Sequence, residues 1–588
     1  MTASSTMTVD RLTMPFDATL PMPGSKSHAN RSIIAACLAK GTTSLHHATP
    51  CDDVVLLVRN VQKMGFHAHW TDRSRGILKI IGGFPPKAGR ATLDCSNAGT
   101  TLRFLTALCA ITPGEWIVTG NERMKERPIG DLVTALKTLG ADIADAQGFP
   151  PIHIRGGSMR GGNVMLDASK SSQFLSALLL IAPLLQKGLA IRLSSTLASP
   201  AYIALTRKVL RDFGSNCAMR GGKYIVSPFG LRSLGKYVIE GDFSAAGAFL
   251  VLAELTGSTF HSPNLDPRST QGDAAMSTII KKLRRPGRCV INCKNIPDQV
   301  MNLAVLAARR KGKTILTGVG NLRIKETDRL SVLTHELKKV GVKIDERAAE
   351  LRIHHSPKLH SALLDPHDDH RMAMAFAILG SMHPGIRIKN PDCVRKSYPD
   401  FFRALQKLHH SPRCIAIIGM RGVGKSTLGR AFARTVGLQH IDTDAVFSST
   451  HGELHDVSTH GKIHDILRRR GWKFFRKKEK EIVRAHLQPG IVLSLGGGSI
   501  ESAETRAALT KHAVIIWMRE PIATVIARLQ KLHRPALTKL PLEEEVPLIL
   551  KRRTPLYAAL ADITLPPSLL QKNQVTALRA ALRSSCSW

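Results

Sequence analysis

The chain has 588 residues, too many for one hydrophobic core, so several domains are expected. Apolar residues make up 43% and charged residues 22%, and the mean hydropathy is −0.04, a balance that argues against a disordered or membrane-embedded chain. A formal charge of +38 raises nucleic-acid binding, but the basic residues are spread along the chain and aromatics for base stacking are only 5%, so no nucleic-acid partner is expected.

The longest apolar run, Ala177 to Leu185, is broken by Pro183 and is far too short for a bilayer, so no membrane association is expected. The N-terminus lacks a basic region followed by an apolar stretch. Ten cysteines are scattered without a CxxC pair, which reads as reduced thiols and a cytoplasmic protein.

Taken from the N-terminus, helices alternate with short strands and repeatedly end in glycine: VQKMGF from Val61, LKTLGAD from Leu136, LRDFGS from Leu210 and LKKVGVKI from Leu337. Each puts glycine just past a helix end, where a positive φ is needed, and the recurrence predicts an internally repeated α/β architecture. Among these elements lie clusters of one character. Pro23 to Arg31 sets Lys26, Ser27 and Arg31 around a turn into a helix; Asn97 to Arg103 repeats small residues before an arginine; Arg123 to Pro128 is cationic. Ser171-Ser172-Gln173 opens another helix, and Lys325 to Arg329 and His367 to Arg371 mix both signs. Taken singly, each also fits a capped or solvated face. Together they suit a site for two polyanions, with arginine forks for carboxylate and phosphate.

A boundary is predicted near His409 to Pro412, where an amphipathic helix ends and an apolar strand, Cys414 to Ile418, begins. Gly419-Met420-Arg421-Gly422-Val423-Gly424-Lys425-Ser426 follows it and opens a helix closed by Gly437, the context a P-loop requires. Its backbone N–H groups would cradle phosphates, Lys425 would reach the β- and γ-phosphates, and Ser426 would hold Mg²⁺. Asp442 and Asp444 offer one carboxylate for the metal and one for a substrate hydroxyl, or else two helix caps. Gly496-Gly497-Gly498 lets a small ligand approach the backbone at the carboxyl end of a sheet, and Arg534 and Arg553 lie further on.

The order P-loop, Asp442/Asp444, Phe475-Arg476-Lys477-Lys478-Glu479, Gly496 to Gly498, Arg534-Pro535 and Arg553 to Tyr557 resembles shikimate kinase. The resemblance implies shikimate contacts at Asp444, Arg476, Gly497, Gly498 and Arg553. It implies ATP contacts at Gly419, Gly422, Gly424, Lys425, Ser426, Thr427 and the lid residue Arg534, and Mg²⁺ on Ser426 and Asp442. Leu467 to Trp472 is basic where that family is usually acidic.

The earlier segments, PGSKS, NAGT, RMKERPIGDL, SSQFL, KETDRL and DHRMAM, resemble 5-enolpyruvylshikimate-3-phosphate synthase over about residues 14 to 408. That resemblance implies an α/β fold of two lobes built from six β-α-β-α-β-β units, an inside-out α/β barrel, followed here by a P-loop kinase domain with a parallel sheet. Domains are expected at 1–410 and 411–588, with one lobe at about 1–20 plus 240–410 and the other at about 21–239. Shikimate-3-phosphate contacts would be Lys26, Ser27, Arg31, Ser171, Ser172, Gln173, Ser199, Tyr202, Asp298, Asn321 and Lys325. Contacts to phosphoenolpyruvate (PEP) would be Lys26, Gly99, Arg127, Gln173, Glu326, Arg329, His370, Arg371 and Lys396. Asp298 is the expected base at the substrate hydroxyl, with Glu326 and Lys26 as alternatives for proton transfer at C3 of PEP. In the kinase half, Asp444 and Lys425 are the catalytic candidates. Phe104 stands where some relatives have proline. Gly99 implies inhibition by glyphosate at the PEP site.

The function implied is a bifunctional step of chorismate biosynthesis acting on shikimate, ATP, shikimate-3-phosphate and PEP, with a monomer favoured. No cofactor is expected in the first half. A UDP-sugar enolpyruvyl transferase is disfavoured by SSQ and DHRMAM, and a nucleotide or gluconate kinase by the glycine turn with RTPLY. Intact Lys26, Asp298, Glu326, Lys425 and Asp444 disfavour a degenerate nucleic-acid-binding protein.

Overall fold

The computed structural model describes residues 5–12, 14–409, 413–451, 459–532, 538, 540–565, 567, 575–578 and 582. The chain forms two compact units. The first comprises Met1–Arg11, Thr19–Leu255 and His261–Phe402; the second comprises Leu12–Ala18, Thr256–Phe260 and Arg403–Trp588. Two short stretches of the first half therefore fold with the second unit.

In the first unit, four sheets share one plan. Gly287–Asn292 runs parallel to Gly312–Thr317, which pairs antiparallel with Glu350–His354, itself antiparallel to Ile344–Glu346. The same order recurs in the sheet of Gly89–Asp94, Gly114–Thr119, Phe149–Gly156 and Asp142–Ala146. It recurs again in that of Gly162–Leu166, Leu189–Leu193, Lys223–Val226 and Cys217–Arg220. In the fourth, Gly41–His46, Ile77–Gly82 and His67–Asp72 take their parallel partner, Gly235–Val238, from nearly 200 residues away, which closes the lobe on itself. The first unit also holds a three-stranded sheet of Thr6–Thr8, Arg387–Lys389 and Leu363–Leu364. A ribbon of Asp17–Thr19 with Thr259–His261 falls mostly in the stretches grouped with the second unit.

Strands in these sheets alternate inward and outward. In Gly287–Asn292, Cys289 and Ile291 are buried while Val290 is exposed, so each sheet has one dry face. The dry faces cover helices that are buried almost all round: Lys26–Leu38, Gly99–Ile111 and Ser172–Ile181 in one lobe, Phe243–Leu255, Val300–Arg309 and His370–Met382 in the other. Phe243–Leu255, FSAAGAFLVLAEL, shows why: it has no polar stripe to offer solvent, so it belongs at the centre of a lobe. The predicted helix stops hold. Gly65, Gly140, Gly214 and Gly341 all have φ between 86° and 91°, a region expensive for any residue with a Cβ.

The second unit carries one parallel five-stranded sheet in the order Gln439–Asp442, Ile491–Ser494, Cys414–Ile418, Ala513–Met518, Ile563–Leu565. Its central strands, CIAII and AVIIWM, are buried at every residue because both faces are covered. The expected P-loop helix is present as Lys425–Val436, capped by Gly437 at φ 70°. The basic Leu467 to Trp472 stretch falls within Thr459–His486, which breaks at Gly471 (φ 76°, ψ 168°).

Candidate functional site

In the first unit, the sites read from the sequence are helix starts, and the structure gathers them. Lys26, Ser27, Gly99, Thr100, Ser172 and Gln173, at the starts of three buried helices, line one cavity of about 50 Å³. Arg31, Asp53, Arg127, Tyr202, Asp298, Lys325 and Glu326 complete the lining. Helix N-termini direct unpaired N–H groups and a positive dipole end at whatever sits there, which suits anions.

Arg329 is the hub. Only 2% exposed, it donates from Nε to Asp369 (2.6 Å), from Nη1 to Asp298 (2.9 Å) and from Nη2 to Glu326 (2.9 Å). Tyr202 donates its hydroxyl to the second oxygen of Asp298 at 2.7 Å, and Arg371 approaches that oxygen at 3.6 Å. Glu326 also faces Lys396 at 3.5 Å, and Lys26 pairs with Asp53 at 2.9 Å. Asn97 ties the loop before Gly99 to the other lobe: its carbonyl accepts from Lys396 (2.7 Å) and Arg127 (3.2 Å), and its amide donates to the Glu326 carbonyl (3.3 Å).

These contacts set the charges. Burial opposes ionisation of Glu326 and Asp298, yet the surrounding cations win. Arg329, Lys396 and Arg127 hold Glu326 well below the ordinary carboxylate range, and Arg371, Arg329 and Lys325 do the same for Asp298. Burial also opposes the Lys26 ammonium, but Asp53 and Glu326 lift it above the ordinary lysine range. Burial lowers Lys325 to about 8, despite Asp298 and Glu326. Burial, with Lys26 and Arg371 beside it, keeps His370 neutral. Several buried polar atoms among the described residues make no hydrogen bond: both ring nitrogens of His370, Nε and Nη1 of Arg371, and Nε of Arg103 and Arg127. An unmatched buried group costs about 1–3 kcal/mol, and anionic ligands supply the matching chemistry.

Arg31 differs from the other cations. Its guanidinium donates to Thr206, Ser176 and the Ser27 carbonyl and lies against the Phe104 and Tyr202 rings at 5.3 and 5.7 Å. Phe104, the residue found in place of proline, is therefore packed against this arginine. Ser199 accepts from Asn321 at 3.4 Å, and Ser171 caps its helix by accepting from the Gln173 N–H at 3.2 Å.

In the second unit, a cavity of about 600 Å³ is lined by the P-loop residues Arg421 to Thr427, by Asp442 and Asp444, by Trp472, Phe475, Arg476 and Glu479, and by Gly496 to Gly498 and Arg553. Lys425 donates to the carbonyls of Gly419 and Met420, both at 3.0 Å, which holds it along its own loop. Asp442 accepts from the N–H groups of Asp444 and Ala445, so it does cap the following helix while keeping its place in the cavity. Arg476 pairs with Glu479 at 2.6 Å, and Tyr557 donates to the Gly497 carbonyl at 2.6 Å. Arg534 lies outside the described residues.

Residues 12–405 match the family model for EPSP synthase (3-phosphoshikimate 1-carboxyvinyltransferase). The chain belongs to the EPSP synthase family.

Residues 421–582 match the model for shikimate kinase, so one chain carries both domains and is an enzyme of the shikimate pathway. A 3-phosphoshikimate 1-carboxyvinyltransferase of Methanoculleus marisnigri is 36% identical over 412 residues, 67% of this chain and 97% of the relative. One of Yersinia ruckeri is 36% identical over 420 residues, 67% and 96%. A solved EPSP synthase from Acinetobacter baumannii aligns with a TM-score of 0.56 at 24% identity, covering 69% of this chain and 98% of that one, and has the same fold.

Motif residues of the EPSP synthase domain, Lys26, Gly99, Arg127, Gln173 and Glu326 among them, thus line one cavity, whereas sequence reading missed Asp53 and, for Asn97 and Arg103, which bound a segment it singled out, missed the partners. Arg103 donates to the carbonyls of Gly99 (3.3 Å) and Pro128 (2.7 Å), which fixes the Gly99 turn against the Arg127 segment.

A Cβ on Gly99 would meet the Arg127 guanidinium, 2.8 Å from its Cζ. Gly99→Ala should therefore displace Arg127 and lower transferase kcat/KM for PEP about 10- to 100-fold, checked by steady-state kinetics. Lys325 sets a second expectation. The affinity for shikimate-3-phosphate should be level below pH 8 and fall above it, by up to about tenfold per pH unit, as the ammonium is lost. Calorimetry from pH 6.5 to 9.5 should show this fall, and Lys325→Gln should flatten it.

Proposed function

We propose that this chain is a bifunctional enzyme. Its second unit phosphorylates the 3-hydroxyl of shikimate with ATP, and its first unit transfers the enolpyruvyl group of PEP to the 5-hydroxyl of that product, releasing phosphate. The observation that carries this reading is the pair of separate cavities, each of which sets acid–base groups beside cations suited to phosphate and carboxylate. The catalytic halves are taken as 1–410 and 411–588.

In the transferase, Ser171, Ser172, Ser199 and Lys325 would hold the shikimate-3-phosphate phosphate, with Asn321 behind Ser199. Arg127, Arg371 and Lys396 would hold the carboxylate and phosphate of PEP. Arg329, engaged by three carboxylates, orients the acids beside it. The addition step forms the bond from the 5-oxygen to C2 of PEP, moves a proton off that oxygen, and places a proton on C3. Asp298 is ionised and takes the hydroxyl proton. At C3 the donor is Lys26, because Lys26 carries a proton and Glu326 does not. In the elimination, C3 returns a proton to the neutral Lys26 amine as the bond from C2 to the phosphate oxygen breaks, and the departing phosphate takes the proton held by Asp298, which restores both groups. A cavity of about 50 Å³ is far smaller than either substrate needs, so the lobes part to load and close to react.

In the kinase, Ser426 and Asp442 offer oxygen donors in the phosphate cavity, a donor set that fits Mg²⁺. Bound there with ATP, the ion would offset charge on the phosphates. Lys425 leaves its carbonyl partners for the β- and γ-phosphates. Asp444 accepts the substrate hydroxyl proton, and Arg476 and Arg553 bind the shikimate carboxylate beside Gly497 and Gly498.

Among the described residues, no helix is long and apolar enough to cross a membrane. The proposed cytoplasmic location rests instead on the nine described cysteines, all unbonded. A monomer acting on small molecules is proposed.

The decisive experiment supplies shikimate, ATP and PEP and follows both products. Lys425→Ala should abolish phosphorylation and leave the PEP reaction on supplied shikimate-3-phosphate intact, while Asp298→Ala should do the opposite. Lys26→Met should lower transferase kcat about 10²- to 10⁴-fold, the range for loss of a general acid–base group. Loss of both activities in either Lys425→Ala or Asp298→Ala would refute independent sites. With Gly99 in place, glyphosate should inhibit competitively with PEP.

A further inference from the structure

Glu501 belongs to no motif, yet it joins the two arginines of the kinase cavity. It ends the short turn Ser499–Glu501 directly after the three glycines. One carboxylate oxygen accepts from Arg553 Nε at 3.0 Å and from Arg552 at 2.5 Å; the other lies 3.4 Å from Nη2 of Arg476. Arg476 and Arg553 line the cavity and Glu501 does not. It therefore braces the pair from outside the space a ligand would enter.

The consequence is geometric. Arg553 is 3% exposed, and a buried guanidinium needs a counter-charge. By engaging Nε, Glu501 supplies that charge from outside the cavity that Arg553 lines. The same carboxylate offsets the repulsion between two guanidinium groups held side by side. Arg476 is fixed at its other edge by Glu479 at 2.6 Å, and a Cβ on Gly498 would collide with it, so its position has little slack. Bidentate recognition of a carboxylate depends on such fixed forks.

We infer that Glu501 is a positioning residue that sets Arg476 and Arg553 as a receptor for the shikimate carboxylate. This rests on the shikimate reading of the pocket. The test measures KM and kcat in the full chain for shikimate, for ATP and for methyl shikimate, whose carboxylate is masked.

Glu501→Ala should raise KM for shikimate about tenfold, leave kcat within about twofold and leave KM for ATP unmoved. Glu501→Gln, isosteric and the safer variant to fold, should fall between. For methyl shikimate, all three proteins should have the same KM. An equal rise for acid and ester, or a rise in KM for ATP alongside, would make Glu501 merely structural and overturn the assignment. So would an unchanged or lower KM for shikimate. If the unmodified protein did not discriminate the acid from its ester, the carboxylate reading of the two arginines would fall first, and the Glu501 assignment with it.

Discussion

A guanidinium with 2% exposure remains charged only if the protein supplies what water no longer can, and in the EPSP synthase domain three carboxylates do so for Arg329. The constraint reaches outward in both directions. Asp369 is wholly buried and caps the His370–Met382 helix, so pairing it with Arg329 fixes where that helix begins and where His370 and Arg371 stand. Asp298 and Glu326 are held by the same arginine at its other nitrogens, which sets the spacing of the two acids and keeps both ionised. Removing any one partner would leave charge uncompensated in a dry site, so the network behaves as a single part rather than as three contacts.

The kinase domain solves a related problem with fewer groups. Its cavity is larger, and its cations are anchored by near neighbours: Lys425 by loop carbonyls, Arg476 by Glu479, and Arg476 and Arg553 together by Glu501. Carbonyl partners are easily exchanged for phosphate oxygens, so Lys425 is poised to move. Carboxylate partners are not, so the arginines stay. The difference follows the chemistry. A phosphoryl group must be followed through its transfer, whereas a substrate carboxylate only needs a fixed anchor.

Much of this was legible in the chain because the decisive chemistry is local. A glycine at a helix end, a serine or aspartate before a helix, and a lysine in a P-loop act within a few residues of themselves: Gly65 and Gly341 end helices as read, and the P-loop helix begins at Lys425. Asp53 and Glu501 escaped, and so did the partners of Asn97, because these contacts join different elements. Asn97 reaches Lys396 across about 300 positions, and no spacing rule encodes that. Propensity misleads at the C-terminal end, where Pro547 and Pro555 sit inside the helix Leu542–Leu560 that delivers Arg553. Nor did hydrophobic pattern reveal that Leu12–Ala18 and Thr256–Phe260 fold with the second unit, since both are too short to show a period.

The net charge of +38 can now be weighed against the sites. Exposed charges are screened over about 8–10 Å at physiological ionic strength, so a basic surface contributes little inside a cavity walled off from water. What draws anions there is the buried set, and that set is far from uniformly basic: Asp53, Asp298, Glu326 and Asp369 stand among Lys26, Arg127, Arg329 and Arg371. A purely cationic pocket would bind both substrates and then do nothing, because the reaction needs a proton removed at one atom and delivered at another. The acids weaken anion binding, and in return they set which groups hold protons. Lys26 is kept charged by Asp53 and Glu326, and Asp298 is kept ionised by Arg371 and Arg329. The division of labour proposed between donor and acceptor thus rests on the mixture of signs rather than on the excess of one.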